Sequence, residues 1–210
     1  MKKLLAALML LVATVAVAEP QAGIEYSATA QAIPTDNPAK IEVVELYWYG
    51  CPHCYAMDPL LNAWVKKLPQ DVYFKRIPGI PNPAWVPMAK AFYAMEALGI
   101  TEKLHSQLFD AIHKQRVLRP DDEKGTIDWI TSKSGLDRKK VEEAFSSFST
   151  NTKLNRAVQV FRASGATGVP SLIIDGKYLT SSTMANGNES ALKVADYLIE
   201  KARQEKTAKH

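Results

Sequence analysis

Cysteine is scarce in this chain: the 210 residues hold two, at positions 51 and 54. That excludes a mini-protein stapled by a dense disulfide framework. Charge of one sign is also lacking. Lys plus Arg number 26 against 22 Asp plus Glu, and no basic run follows a face, so there is no electrostatic case for nucleic-acid binding. Beyond residue 18 no apolar run is long enough to span a bilayer. Repeats and low-complexity stretches are absent too. With 47% apolar and 23% charged residues, the composition excludes disordered and collagen-like chains and fits one globular domain, or one domain with an insertion.

What is present begins with an address. Met1, Lys2 and Lys3 precede an almost purely apolar stretch from Leu4 to Val17, and Ala16-Val17-Ala18 supplies small residues for cleavage. This pattern is a Sec-type signal peptide, short for a membrane span and without a stop-transfer flank. The expected cut lies between Ala18 and Glu19, with no Cys after it to carry a lipid anchor. Its removal leaves 24 Lys and Arg against 22 acids, a charge of +2 rather than +4. The expectation is a soluble, exported protein of a bacterial periplasm.

Both cysteines fall in Cys51-Pro52-His53-Cys54. A bridge across two intervening residues closes too small a loop to constrain the unfolded chain, so a redox role outranks a stabilising one. The preceding Ile41–Tyr49 is rich in β-branched and aromatic residues and reads as a strand. Gly50 turns the chain, Pro52 suits a first helical position, and apolar spacing continues the helix to Lys67, with a kink expected at Pro59. Cys51 therefore stands at a helix N-terminus, where unpaired N–H groups and the helix dipole favour a thiolate. A protonated His53 adds to this. Cys51 is expected to be the attacking and leaving sulfur, with a depressed pKa, and Cys54 the shielded, resolving one. A Cys51 pKa near ~4 would favour the reduced form by roughly 4 kcal/mol at pH 7, making the couple more oxidising by about 90 mV.

A zinc site is the competing reading of Cys-x-x-Cys, but it wants four ligands. Besides His53 there are only His105, His113 and His210. His105 and His113 lie two turns apart on one helix with no Cys beside them, so no metal is expected. Both read as ordinary, partly exposed helix residues.

Strand, Cys51-Pro52-His53-Cys54, helix and a late Gly168-Val169-Pro170 before another strand resemble the thioredoxin superfamily. The Cys-Pro-His-Cys choice with Tyr55 following resembles the DsbA family of periplasmic thiol:disulfide oxidases. The resemblance covers nearly all of residues 19–210 and implies an α/β thioredoxin fold with an inserted all-helical domain. Residues 19–82 and 151–210 would form the thioredoxin-like domain and 83–150 the helical insertion. It also implies that Val169–Pro170 is cis, although base rates favour trans. Val169 would then offer its backbone to an extended substrate chain, with Gly168 permitting close approach. Glu45 alternates with Val43 and Tyr47 in a strand otherwise fit for a core, where an ionised carboxylate is costly; an edge-facing or solvated carboxylate is the bland alternative. By resemblance it is instead a buried acid beneath the disulfide that exchanges a proton with Cys54. Its basic partner is left open between Lys75 and Arg76.

The implied activity is donation of the Cys51–Cys54 disulfide to unfolded or reduced exported proteins. No bound cofactor is needed, the protein is a monomer, and a DsbB-type membrane oxidase restores the disulfide. The alternatives are a reductase or isomerase, and a non-redox peptide-binding chaperone. Only residues 19–50 precede Cys51 after the cut, too few for the dimerisation domain of a DsbC-type isomerase. The intact cysteine pair argues against the chaperone.

Elsewhere, a short strand is expected at Ile24–Tyr26, a second central strand at Asp71–Ile77, and helices at Met88–Leu98, Glu102–Lys114, Gly125–Ser132, Arg138–Ser147 and 151–164. Leu172–Ile174 and Tyr178–Thr180 flank Asp175-Gly176 as a hairpin. Glu189–Arg203 forms the closing helix, and Gln204–His210 reads as a fraying polar tail. Tyr47, Trp48, Tyr49 and Met184 read chiefly as packing.

Overall fold

The computed structural model describes residues 19–208, so the expected signal peptide lies outside the described residues. Among these residues the chain runs β1 (Tyr26–Ala28), β2 (Ile41–Tyr47), α1 (Pro52–Val65), β3 (Val72–Pro78), a short 3-10 turn (Pro83–Trp85), then α2 (Val86–Ala97), α3 (Thr101–His113), α4 (Glu123–Ser134), α5 (Arg138–Ser146) and α6 (Phe148–Ser164). It closes with β4 (Ser171–Ile174), β5 (Tyr178–Ser181) and α7 (Asn188–Thr207).

The strands form one mixed sheet in the order β1-β5-β4-β2-β3. Only β2 and β3 pair in parallel, joined by the α1 crossover; the remaining pairs are antiparallel. All seven residues of β2 are buried, as a strand covered on both faces requires. Val43 and Ile41 pack with Leu172, Ile174 and the apolar side of α7, including Ala195 and Leu198. Val44 and Leu46 turn to the other face, where a single cluster continues through Phe92, Leu108, Ile130, Val141 and Phe145. The helices between β3 and α6 thus share their core with the sheet.

Local chemistry sets the boundaries. Asp122, Asp137 and Ser147 cap the starts of α4, α5 and α6 by accepting backbone N–H bonds. Gly135 and Gly165 end α4 and α6 in the left-handed conformation. The hairpin between β4 and β5 turns at Asp175-Gly176, where both residues have positive φ. A side chain on Gly176 would run into the carbonyl of Ile33.

Two expectations are corrected. The C-terminal segment does not fray after Arg203: α7 extends to Thr207, because Glu205 accepts from Lys177 and the Tyr178 hydroxyl and Lys206 reaches the carbonyl of Pro38. His105 is not partly exposed. It is 4% accessible, for reasons that belong to the site.

Candidate active site

Cys51 caps α1 in an extended conformation and Pro52 takes the first helical position. The Cys51 amide donates to the carbonyl of Trp48 at 2.9 Å, which folds the turn through Gly50. Gly50 is required there, because a Cβ would overlap the Trp48 ring. Trp48 in turn stacks on Trp85, with ring centroids 4.2 Å apart and planes 9° from parallel. Of the three aromatics, Tyr47 and Tyr49 are core and Trp48 is half-buried.

Both cysteines are free thiols. Cys51 is 9% accessible and Cys54 fully buried, while Pro52 and His53 are exposed. The Cys51 thiol is lowered to about 6. Its largest cause is the hydrogen bond from the Cys54 thiol; burial opposes it, and the backbone N–H groups of Cys54 and His53 assist. The charge of His53 contributes least of the causes named. Cys54 is pushed well up, first by burial and then by Cys51. The pair is thus split in the expected direction, with the first turn of α1 and the neighbouring thiol outweighing His53. The size is smaller than a pKa near 4 implies. Against an ordinary thiol near 8.5, ionisation favours the dithiol form at pH 7 by at most about 1.4 kcal/mol, or about 30 mV, and solvent screening reduces it.

The loop before β4 closes the other side. The Val169–Pro170 peptide bond is cis, and the Cys51 thiol donates to the carbonyl of Val169 at 3.5 Å. Pro170 is buried and Val169 half-buried. A side chain on Gly168 would meet no atom of this chain, whereas one on Gly79 would press on Val169 and Phe161 at 3.1–3.2 Å. Gly79 thus backs the Val169 loop, a role its place in a Pro-Gly turn did not reveal.

Beneath the cysteines lies a polar cluster within the core. Glu45 is 1% accessible, and its partner is Arg76, whose Nε donates to Oε2 at 2.9 Å. Lys75 points elsewhere, to Asp36 and Glu42. Burial raises the Glu45 carboxyl to about 7 against the pull of Arg76, and the negative charge of Asp58 adds to the rise. Glu45 in turn raises Cys54, so the two groups are electrostatically coupled. Asp58 sits one turn after Cys54 on α1, 3.5 Å from Arg76 Nη2, and accepts from Ser106 at 2.7 Å. His105 and Tyr49 complete the cluster, with 2.6 Å between the Tyr49 hydroxyl and His105 Nδ1. Neither Asp58 nor His105 was singled out as a site residue. An acid four residues after Cys54 on an apolar helix was the available signal for Asp58.

His53, His105, His113 and the cysteines do not converge, and among the described residues no group of three or more His, Cys, Asp or Glu side chains is placed to hold a metal. No helix among these residues is long and apolar enough to cross a membrane.

Comparison with known proteins agrees with this geometry. Residues 72–199 match the family described as a DSBA-like thioredoxin domain. The thiol:disulfide interchange protein DsbA of Pseudomonas aeruginosa is 39% identical over 184 residues, covering 87% of this chain and 85% of that protein. The DsbA of Burkholderia cepacia is 37% identical over 215 residues, covering 98% and 100%. The crystal structure of Pseudomonas aeruginosa DsbA superposes with a TM-score of 0.83 at 38% identity, over 91% of this chain and 97% of that one. The oxidoreductase DsbA from Xylella fastidiosa gives 0.81 at 25% identity, over 88% and 98%. The family match begins after the cysteine pair, but the Burkholderia cepacia relative covers nearly the whole chain and so includes it, and with the sheet order and the paired thiols these likenesses place the chain in the DsbA family of thioredoxin-fold thiol:disulfide oxidoreductases.

Proposed function

We propose that this protein oxidises exported proteins in the periplasm by donating its Cys51–Cys54 disulfide. The observation that carries the reading is the split between the two thiols: Cys51 at the surface end of α1 lowered to about 6, Cys54 buried and raised. A substrate thiolate attacks the Cys51 sulfur of the disulfide. The S–S bond breaks, and Cys54 leaves with the electron pair and takes up a proton. A second thiolate of the substrate then attacks the substrate sulfur of the mixed disulfide, and Cys51 leaves as a stabilised thiolate. Two substrate thiols are oxidised and one protein disulfide is reduced, without any bound cofactor.

In this reading Glu45 supplies the proton to Cys54, with Arg76 holding the carboxylate so formed. Val169 offers its backbone to an extended substrate beside Cys51, next to Pro170, and Pro52 and His53 shape the first turn of α1. Residues 19–82 and 151–210 act as the thioredoxin-like unit and 83–150 as the helical insertion over it. A DsbB-type membrane oxidase accepts the two electrons, and the monomer is the working form after signal-peptide removal.

The test is the reduction potential of the pair in glutathione buffers at pH 7. A value more oxidising than about −180 mV supports donation, and one near −270 mV sinks it in favour of a reductase. Replacing Cys51 by Ser abolishes an oxidase and leaves a non-redox peptide binder intact.

A further inference from the structure

Asp58 Oδ1 and His105 Nε2 are both buried, face each other at 3.3 Å, and lack the alignment of a full hydrogen bond to any group. They meet across the junction of α1 and α3, and buried polar atoms of this kind rarely go unsatisfied. Chemistry fixes the proton between them. A carboxylate only accepts, so Nε2 must carry the hydrogen that faces Asp58. Nδ1 is then bare and accepts from the Tyr49 hydroxyl at 2.6 Å, whose phenol burial keeps protonated. The rings of Tyr47, Tyr49, Phe92 and Phe109 surround the imidazole, and burial pushes it below the ordinary imidazole range against the pull of Asp58.

The groups facing this histidine are Asp58 from α1, Tyr47 and Tyr49 from β2 and its following turn, and Arg76 from β3, with Glu102 on its own helix. Those facing Glu45 are Arg76, Asp58, Cys54, Tyr47 and Tyr49. Two buried carboxylates therefore share one guanidinium. Only Asp58 also accepts from Ser106 and faces His105 Nε2.

We propose that His105 is a positioning residue that, as its Nε2–H tautomer facing Asp58, keeps that carboxylate charged and so leaves Glu45 as the one of the two carboxyls around Arg76 that carries a proton. This rests on the redox reading of Cys51 and Cys54 for its purpose, since Glu45 is the member of the pair coupled to the buried thiol. Its physical content is separate from turnover. The neutral histidine works through Asp58 and Arg76 and touches neither sulfur nor substrate.

The experiment is carboxyl 13C NMR of Asp58 and Glu45 against pH in the reduced full-length mature protein, in wild type, His105→Leu and His105→Gln. In the wild type Asp58 stays ionised across pH 5–8 while Glu45 titrates. In His105→Leu the Asp58 midpoint rises by about one to two pH units and that of Glu45 falls. His105→Gln, whose amide N–H reaches the place of Nε2, restores the wild-type pattern. An unchanged Asp58 midpoint in folded His105→Leu overturns the proposal, as does a His105→Gln protein that behaves like the leucine variant. Should the leucine variant not fold, 15N shifts of His105 in the unaltered protein decide: a protonated Nε2 with a bare Nδ1 supports the assignment, and a protonated Nδ1 overturns it. An enzyme with a reducing potential would refute the oxidase reading and leave these titrations as they are.

Discussion

Arg76 and Glu45 are direct partners in the parallel register of β2 and β3, and the guanidinium Nε meets the carboxylate at 2.9 Å. The pair is buried on both sides, at 12% and 2% side-chain exposure. Burial is the stronger influence on Glu45, so its carboxyl is raised to about 7 in spite of its cation.

That rise has a sign for stability. A carboxyl raised in the folded state favours folding while it is protonated, and the advantage is present in full below its unfolded value near 4.3. It is lost as pH climbs through about 7, an amount on the order of 3 kcal/mol. Urea unfolding of wild type and Glu45→Gln at pH 4.5, 6 and 8 should show the wild type losing ground to the variant along this series. Parallel pH profiles would mean that Glu45 is ionised throughout.

Cys51 predicts a bend in the redox titration. Stabilisation of the reduced form by its thiolate is complete only above the ordinary thiol range, partial at pH 7, and lost as pH falls through about 6. Below the bend two protons accompany two electrons and the potential changes by about 59 mV per pH unit; above it one proton does, giving about 30 mV. Potentials measured from pH 4.5 to 8 locate the bend. A single slope over that range would rule out a Cys51 pKa near 6.

The causes of that low value rank the variants. Alkylation of Cys51 by iodoacetamide, followed against pH, reports its midpoint in each protein. Cys54→Ala removes the main hydrogen bond and should raise the midpoint by more than one unit. Cys54→Ser keeps an O–H donor and stays closer to wild type. His53→Ala, which loses only the smallest of the named contributions, shifts it least. A larger shift for His53→Ala than for Cys54→Ala would reverse the ranking.

What the sequence disclosed, and what it withheld, divides along the range of the interactions. The cysteine pair, the strand before it, the β4–β5 hairpin and the order of helices are written in local periodicity and turn residues, within a few positions of each other. Arg76 could not be separated from Lys75 because adjacent strand residues point to opposite faces, and only the register of β3 on β2 decides which one meets Glu45. His105 looked like a surface residue because its satisfaction depends on Asp58 and Tyr49, 47 and 56 positions away. The resemblance supplied the cis bond at Pro170, which base rates would have left trans, and gave Glu45, already conspicuous as an acid in a core-type strand, its place beneath the cysteines.

The end of α7 was the plainest misreading, and it yields the last prediction. Asp175 is held at φ 51° in the hairpin turn, 5% accessible, with Lys177 Nζ at 3.0 Å and Lys206 Nζ at 2.9 Å. Lys206 is one of the seven residues assigned by composition to a fraying tail, yet it covers a buried carboxylate 31 positions earlier. Breaking a buried ion pair by removing one partner costs about 3–5 kcal/mol when the remaining charge has no other partner. Asp175 keeps Lys177, so Lys206→Met should cost less, about 1–2 kcal/mol, at pH 7. A hairpin anchored by that contact also predicts faster amide exchange at Gly176 and Lys177 in the variant. Equilibrium unfolding and hydrogen exchange together check it: an unchanged midpoint with unchanged exchange would show that the last turn of α7 contributes nothing to the turn it covers.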